Sequence, residues 1–119
     1  VAAPQDYPTI TGNTIKGAAV DLVARTKALA VLHKAYAVTG GICVSTAALI
    51  SGTVVNEVVG EAAKESGTVR LGHPSGVLDF EIALENNNGA WNLVKAGVSR
   101  TAKPIMDGYV YVSKKVWNK

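Results

Sequence analysis

No charged residue occurs between Lys34 and Glu57. A run of that length passes the ~18-residue threshold for a membrane span. Thr39-Gly40-Gly41, Ser45-Thr46 and Ser51-Gly52-Thr53 interrupt it, however. The unbroken helical part is Thr39 to about Ile50, short of the ~20 residues a bilayer needs. The pattern predicts a helix that is apolar all round and buried in protein.

Other periodicities frame this helix. Pro4 and Pro8 keep Val1 to Thr11 extended, and Thr11-Gly12-Asn13 reads as a turn. Ile15, Ala18, Ala19, Leu22, Thr26 and Leu29 recur at helical spacing. They predict an amphipathic helix from Thr14 to about Leu29, capped by Thr14, with Asp21 and Arg25 as an i,i+4 pair. His33 to Val38 reads as a short strand. Thr53 to Val59 is β-branched and reads as extended, and Gly60 to Gly67 as a polar loop with a helical turn. Thr68 to Leu71 reads as a strand. From Val77 to Glu85 the residues alternate, with Leu78, Phe80, Ile82 and Leu84 on one face and Asp79, Glu81 and Glu85 on the other. Asn88-Gly89 predicts a hairpin into Trp91–Ser99. Tyr109 to Val112 reads as a last strand, and Lys114, Lys115 and Lys119 as a solvated end. The class predicted is α+β with a mostly antiparallel sheet.

Composition narrows the partners. The 119 residues make one domain or less; 48% are hydrophobic and 18% charged, enough to build a core. The net charge of +3 is too small and scattered to argue for nucleic acid. A single cysteine excludes an internal disulfide framework, and two widely spaced histidines add no metal constellation. The chain opens on Val1, with no basic-then-apolar leader. The expectation is an internal piece of a longer protein or a processed product.

Two segments carry candidate chemistry. In Gly72-His73-Pro74-Ser75-Gly76, two glycines and a proline fix a tight turn. Its backbone N–H groups could hold an anion, and Ser75 adds a hydroxyl; a plain β-turn is the alternative. It is not a nucleophile elbow, since Ser75 follows a proline without a strand-to-helix context. Thr39-Gly40-Gly41 opens the apolar helix, where unpaired N–H groups favour a carboxylate or phosphate. Thr39 as a cap, with glycines for close packing, is the other reading. Cys43 reads as a small buried hydrophobe, and His33 as a structural histidine. Arg100 could pair with a carboxylate or guard a strand edge. No catalytic base is evident.

Taken together, Leu71-Gly72-His73-Pro74-Ser75-Gly76, Arg100-Thr101-Ala102-Lys103-Pro104-Ile105-Met106-Asp107-Gly108 and Tyr109-Val110-Tyr111-Val112 resemble the C-terminal end of the 2-methylaconitate cis-trans isomerase family. That family includes methylitaconate isomerases and 4-oxalomesaconate tautomerases. Pro4-Gln5-Asp6-Tyr7, Leu22-Val23-Ala24-Arg25, Leu32-His33-Lys34-Ala35, Thr39-Gly40 and Gly52-Thr53-Val54-Val55 resemble its pieces in the same order. Lys103 stands where the family commonly has a second arginine.

The resemblance implies a diaminopimelate-epimerase-like half: a twisted, mostly antiparallel sheet around a central buried apolar helix, here Thr39–Ile50. Residues 1–119 would be most of the C-terminal domain of a two-domain isomerase. It implies a cytoplasmic enzyme, without metal or organic cofactor, that moves a proton in an unsaturated di- or tricarboxylate. The lysine and cysteine that usually transfer the proton belong to the family's first half, so the expected partners are that N-terminal half, the small polycarboxylate and a second copy in a homo-oligomer. Neither nucleic acid nor membrane is expected. Cys43 lies about four residues past the epimerases' second thiol, so that role is not carried onto it. The substrate-binding residues implied are Thr39, Gly40, Gly41, Gly72, His73, Pro74, Ser75 and Gly76. Preorganised donors there would hold the charge that builds on a carboxylate when a neighbouring carbon loses a proton. The alternative is a non-catalytic packing or dimerisation module, or a proteolytic fragment. An amino-acid racemase of the diaminopimelate type fits less well, since Ala37, Val38 and Thr39 stand where it would need a thiol.

Overall fold

The computed structural model describes residues 1–117; Lys119, read above as part of the solvated end, lies outside them. The centre is a four-stranded sheet in the order β3-β6-β7-β8. β3 (Leu22–Val23) runs parallel to β6 (Thr68–His73). β6, β7 (Gly76–Asn87) and β8 (Ala90–Val98) form an antiparallel meander. The alternation along β7 holds: Phe80 and Ile82 are buried and Leu78 and Leu84 half-buried, while Asp79, Glu81 and Glu85 are exposed. The register slips between Ala83 and Leu84, a local irregularity of the kind that bends a strand. Asn88 and Gly89, at φ 54° and 93°, make the hairpin turn between β7 and β8.

Helix α1 (Val38–Ala48) lies on this sheet. Gly41, Ser45 and Ala48 form its buried stripe, and Ile42, Val44 and Leu49 are half-buried against the core. A Cβ on Gly41 would fall 2.2 Å from Cζ of Phe80. Glycine there lets the helix backbone sit on the ring. Thr39 and Cys43 are exposed on the other side, so α1 is covered on one face only, and Cys43 is not the buried hydrophobe expected.

The expected helix from Thr14 to Leu29 is absent. That stretch forms β2 (Thr14–Ile15), paired with β1 (Tyr7–Pro8), then a single 3-10 turn over Gly17–Ala19, then β3. It ends in a hairpin of β4 (Lys27–Ala28) and β5 (Val31–Leu32). Spacing at 3.6 misled because the five consecutive residues Val20 to Ala24, Asp21 included, are all buried in and beside β3. A strand with both faces covered shows no alternation. Asp21 accordingly pairs with Arg70, not with Arg25.

His33 to Val38, read as a strand, contains none, and Val38 opens α1. Thr53–Val59, read as extended, is mostly helix α2 (Val54–Val58). The Thr53 side chain caps it by accepting from the Asn56 N–H at 3.1 Å, a local signal strong enough to override β-branched propensity. The loop expected at 60–67 is largely helix α3 (Glu61–Ser66), ended by Gly67 in the left-handed conformation. Tyr109–Val112 joins no sheet among the described residues. Lys114–Trp117 adds one helical turn, α4.

Candidate functional site

β6 and β7 are joined at Pro74-Ser75, with His73 opposite Gly76. Nearly every polar group of this turn is engaged. The Ser75 N–H donates to Nδ1 of His73 at 3.2 Å. The Pro74 carbonyl accepts the Ile10 N–H at 2.7 Å. The Gly76 carbonyl accepts the Tyr7 hydroxyl at 2.6 Å. The Gly72 carbonyl accepts the Ala24 N–H at 2.9 Å and Nη1 of Arg25 at 3.3 Å. Pro74 has no N–H, so the turn is not a ring of idle backbone donors.

The Ser75 hydroxyl donates to the carbonyl of Lys34. That contact ties the turn to the segment leading into α1, four residues before Val38. At α1 itself, Ala37 stands at the cap without a side-chain hydrogen bond. The first intrahelical bond runs from the Gly41 N–H to the Ala37 carbonyl at 2.8 Å. The N–H groups of Val38, Thr39 and Gly40 therefore belong to the unpaired first turn. Gly40 has open space on its Cβ side apart from the Tyr36 ring at 3.6 Å. Gly41 serves packing against Phe80, and its N–H is occupied.

His73 is buried. Because Nδ1 accepts from Ser75, the neutral ring carries its proton on Nε2 and can donate there. Burial, and then the positive charge of Arg25, hold its pKa below the usual histidine value. The ring is thus a neutral donor at pH 7. Tyr7 is 5% exposed. Burial raises its phenol pKa, partly opposed by Arg25, so it too stays a donor.

Sequence reasoning missed Tyr7 and Arg25 as parts of this corner. No local signal in the sequence points to them; the structure shows why Gly72 is glycine, since a Cβ there would lie 2.8 Å from the Tyr7 ring. His33 is exposed and accepts only the nearby Ala35 N–H. Arg100 lines a separate surface cleft with Val77 and Leu78. Among the described residues no cluster of His, Cys, Asp or Glu could hold a metal ion.

The turn offers the Nε2–H of His73, and the first turn of α1 offers the N–H groups of Val38, Thr39 and Gly40. Residues 1–113 match the family model described as PrpF protein, and the chain belongs to this family. It is 46% identical over 115 residues to the 3-methylitaconate isomerase of Eubacterium barkeri, covering 96% of this chain and 29% of that protein. It is 40% identical over 114 residues to the 2-methyl-aconitate isomerase of Shewanella oneidensis, covering 96% and 28%. With the 4-oxalomesaconate tautomerase of Pseudomonas putida it shares 31% over 86 residues, covering 71% and 22%.

The crystal structure of a methylitaconate-delta-isomerase superposes with a TM-score of 0.72 at 45% identity, covering 97% of this chain and 29% of that one. The fold is therefore diaminopimelate-epimerase-like, as the resemblance implied. The chain spans less than a third of the length of these relatives.

Proposed function

We propose that residues 1–119 form most of the C-terminal domain of a two-domain, cofactor-independent isomerase or tautomerase. Its substrate is a small unsaturated di- or tricarboxylate of the 2-methylaconitate kind, and it acts in the cytoplasm. This portion holds a substrate carboxylate through the N–H groups of Thr39 and Gly40 at the start of α1 and the Nε2–H of His73 at the β6–β7 turn, with Gly41, Gly72, Pro74, Ser75 and Gly76 shaping the backbone around them. Proton transfer belongs to groups in the rest of the protein, so the isolated chain is inactive.

The observation that carries this reading is the Ser75–Lys34 contact, which ties the turn to the entrance of α1. Abstraction of a proton beside a carboxylate places charge on its oxygens. A neutral His73 Nε2–H and the unpaired first-turn N–H groups of α1 are fixed donors for that charge, with little reorganisation needed. His73 and Ser75 hold each other, and Gly41 supports the helix start by packing on Phe80 rather than by donating.

The test uses the intact protein. Turnover of 2-methylaconitate or 3-methylitaconate is expected from it and not from residues 1–119 alone. Ser75→Ala in the intact protein should raise KM severalfold, because it removes the hydroxyl bond to the Lys34 carbonyl and releases the turn from the segment leading into α1; a net hydrogen bond is worth about 1 kcal/mol. Full activity of the isolated chain, or an unchanged KM in both Ser75→Ala and His73→Ala, would overturn the reading.

A second reading, a packing or dimerisation module, is favoured by the open face of α1. Thr39, Ile42, Cys43, Thr46, Ile50 and Leu93 line an apolar cleft of about 400 Å³ there. No helix among the described residues is long and apolar enough to cross a membrane, so this face suits protein, either the rest of the same chain or a second copy.

A further inference from the structure

Arg25 follows the buried run Val20–Ala24 and is itself exposed. Its guanidinium carbon lies 4.8 Å from the centroid of the Tyr7 ring, within cation–π range. Nη1 donates to the Ala24 carbonyl at 2.8 Å and to the Gly72 carbonyl at 3.3 Å. Tyr7 is in turn fixed by its hydroxyl bond to Gly76 and by the close approach of Gly72. One nitrogen and one face of the guanidinium are therefore held by the β6–β7 turn and the ring that braces it.

None of the four ion pairs among the described residues includes Arg25. Nε and Nη2 take no hydrogen-bond acceptor among those residues. Arg25 and Tyr7 also line a surface cleft of about 340 Å³ with Gln5, Asp6 and Val23. Asp6, the acidic group there, is already engaged by Lys16 and by the Gly17 N–H at 2.7 and 2.8 Å. A small polycarboxylate meets no uncompensated negative charge on approach.

We propose that Arg25 is the cationic specificity residue of the site, pairing through its unused guanidinium edge with a carboxylate of the substrate. A planar fork of donors matches a carboxylate in two parallel hydrogen bonds. The stacking on Tyr7 means little side-chain freedom is lost on binding. Burial first, and then the fixed positive charge of Arg25 beside the turn, keep His73 neutral. The anion is then held by one full charge and neutral donors. This inference rests on the reading that the turn holds the substrate.

The experiment compares Arg25→Gln, Arg25→Lys and Ser75→Ala in the intact protein, with kcat, KM and Tm for the methylated tricarboxylate 2-methylaconitate or, if that is not turned over, 3-methylitaconate. Arg25→Gln should raise KM about 10- to 100-fold, the range expected for lost charge-assisted hydrogen bonds, with kcat within threefold and Tm within a few degrees. Arg25→Lys should recover part of the loss, since an ammonium keeps the charge and loses the fork. If Ser75→Ala raises KM while both Arg25 variants leave it unchanged, Arg25 is not a binding residue and the site stands. If all three leave KM unchanged, the site itself is wrong. Should Arg25→Gln fail to fold, Arg25→Lys decides alone: an unchanged KM overturns the proposal, and a rise above about fivefold supports it.

Discussion

Asp21 meets Arg70 across the parallel pair of β3 and β6. Oδ1 accepts from Nη2 at 2.7 Å, and Oδ2 from Nε at 3.0 Å and from the Arg70 backbone N–H at 2.7 Å. The Asp21 side chain is 5% exposed and that of Arg70 40%. β3 is only two residues long, so its register depends on this clamp and on the backbone bond from the Asp21 N–H to the Arg70 carbonyl. The carboxylate in turn raises the Arg70 pKa through its hydrogen bonds.

Asp21→Asn is therefore expected to destabilise the protein by about 2–3 kcal/mol. It leaves the partly buried Arg70 guanidinium without its counter-charge and weakens a bond to a backbone N–H. Denaturant unfolding checks this. A loss below 0.5 kcal/mol would mean that the pair is an ordinary surface contact.

Gly41→Ala puts a methyl group 2.2 Å from the Phe80 ring, and Phe80 is fully buried. Overpacking of this kind typically costs about 1–3 kcal/mol. If the clash is the cause, Phe80→Leu in the same chain should recover part of the loss, and the double variant should depart from additivity. Purely additive losses would mean that the helix start, not the ring, responds to the alanine.

His73 makes stability depend on pH in a definite direction. Its pKa lies below 6.5 in the folded protein because of burial and Arg25. Between the unfolded value and the folded one, the unfolded chain binds the proton and the folded chain does not. Stability is thus full above about pH 6.5 and falls as pH drops through that window. The slope of Tm against pH from 7 to 5 should be smaller in His73→Asn. An equal slope would place the titration elsewhere.

What could be read from the sequence followed how local the signal was. The meander from Thr68 to Val98 was legible because alternation and Asn88-Gly89 act within a few residues. Helix α1 was legible from its lack of charge and its length. The misread stretch from Thr14 to Leu29 depends on distant partners: Asp21 on Arg70, Ala24 and Arg25 on Gly72. Its short strands carry too few residues to reveal their period. The same holds for the site. The segments at Thr39 and Gly72 stood out by composition, but nothing local reveals that Ser75 reaches Lys34 or that Arg25 lies on Tyr7.

The β4–β5 hairpin turns at Leu29 and Ala30, both left-handed at φ 48° and 67°. A two-residue hairpin turn of this kind needs positive φ at both central positions, which is why Asn-Gly suits it. The β7–β8 turn meets that need with Asn88-Gly89. Leu29 and Ala30 meet it against their own preference, since a Cβ in that region costs about 1–2 kcal/mol per residue. Leu29 is fully exposed, so no packing offsets the cost at the tip. Ala30→Gly should accordingly raise stability by about 0.5 kcal/mol, the relief of strain less the added entropy of glycine in the unfolded chain. Near the entrance to α1 this hairpin sets where His33 leaves, through the His33 N–H to the Thr26 carbonyl at 2.8 Å. Ala30→Val should therefore lower Tm and increase hydrogen exchange at His33, with little change at Val69 or Leu71. A uniform rise in exchange across the sheet would mean instead that the hairpin unfolds with the core.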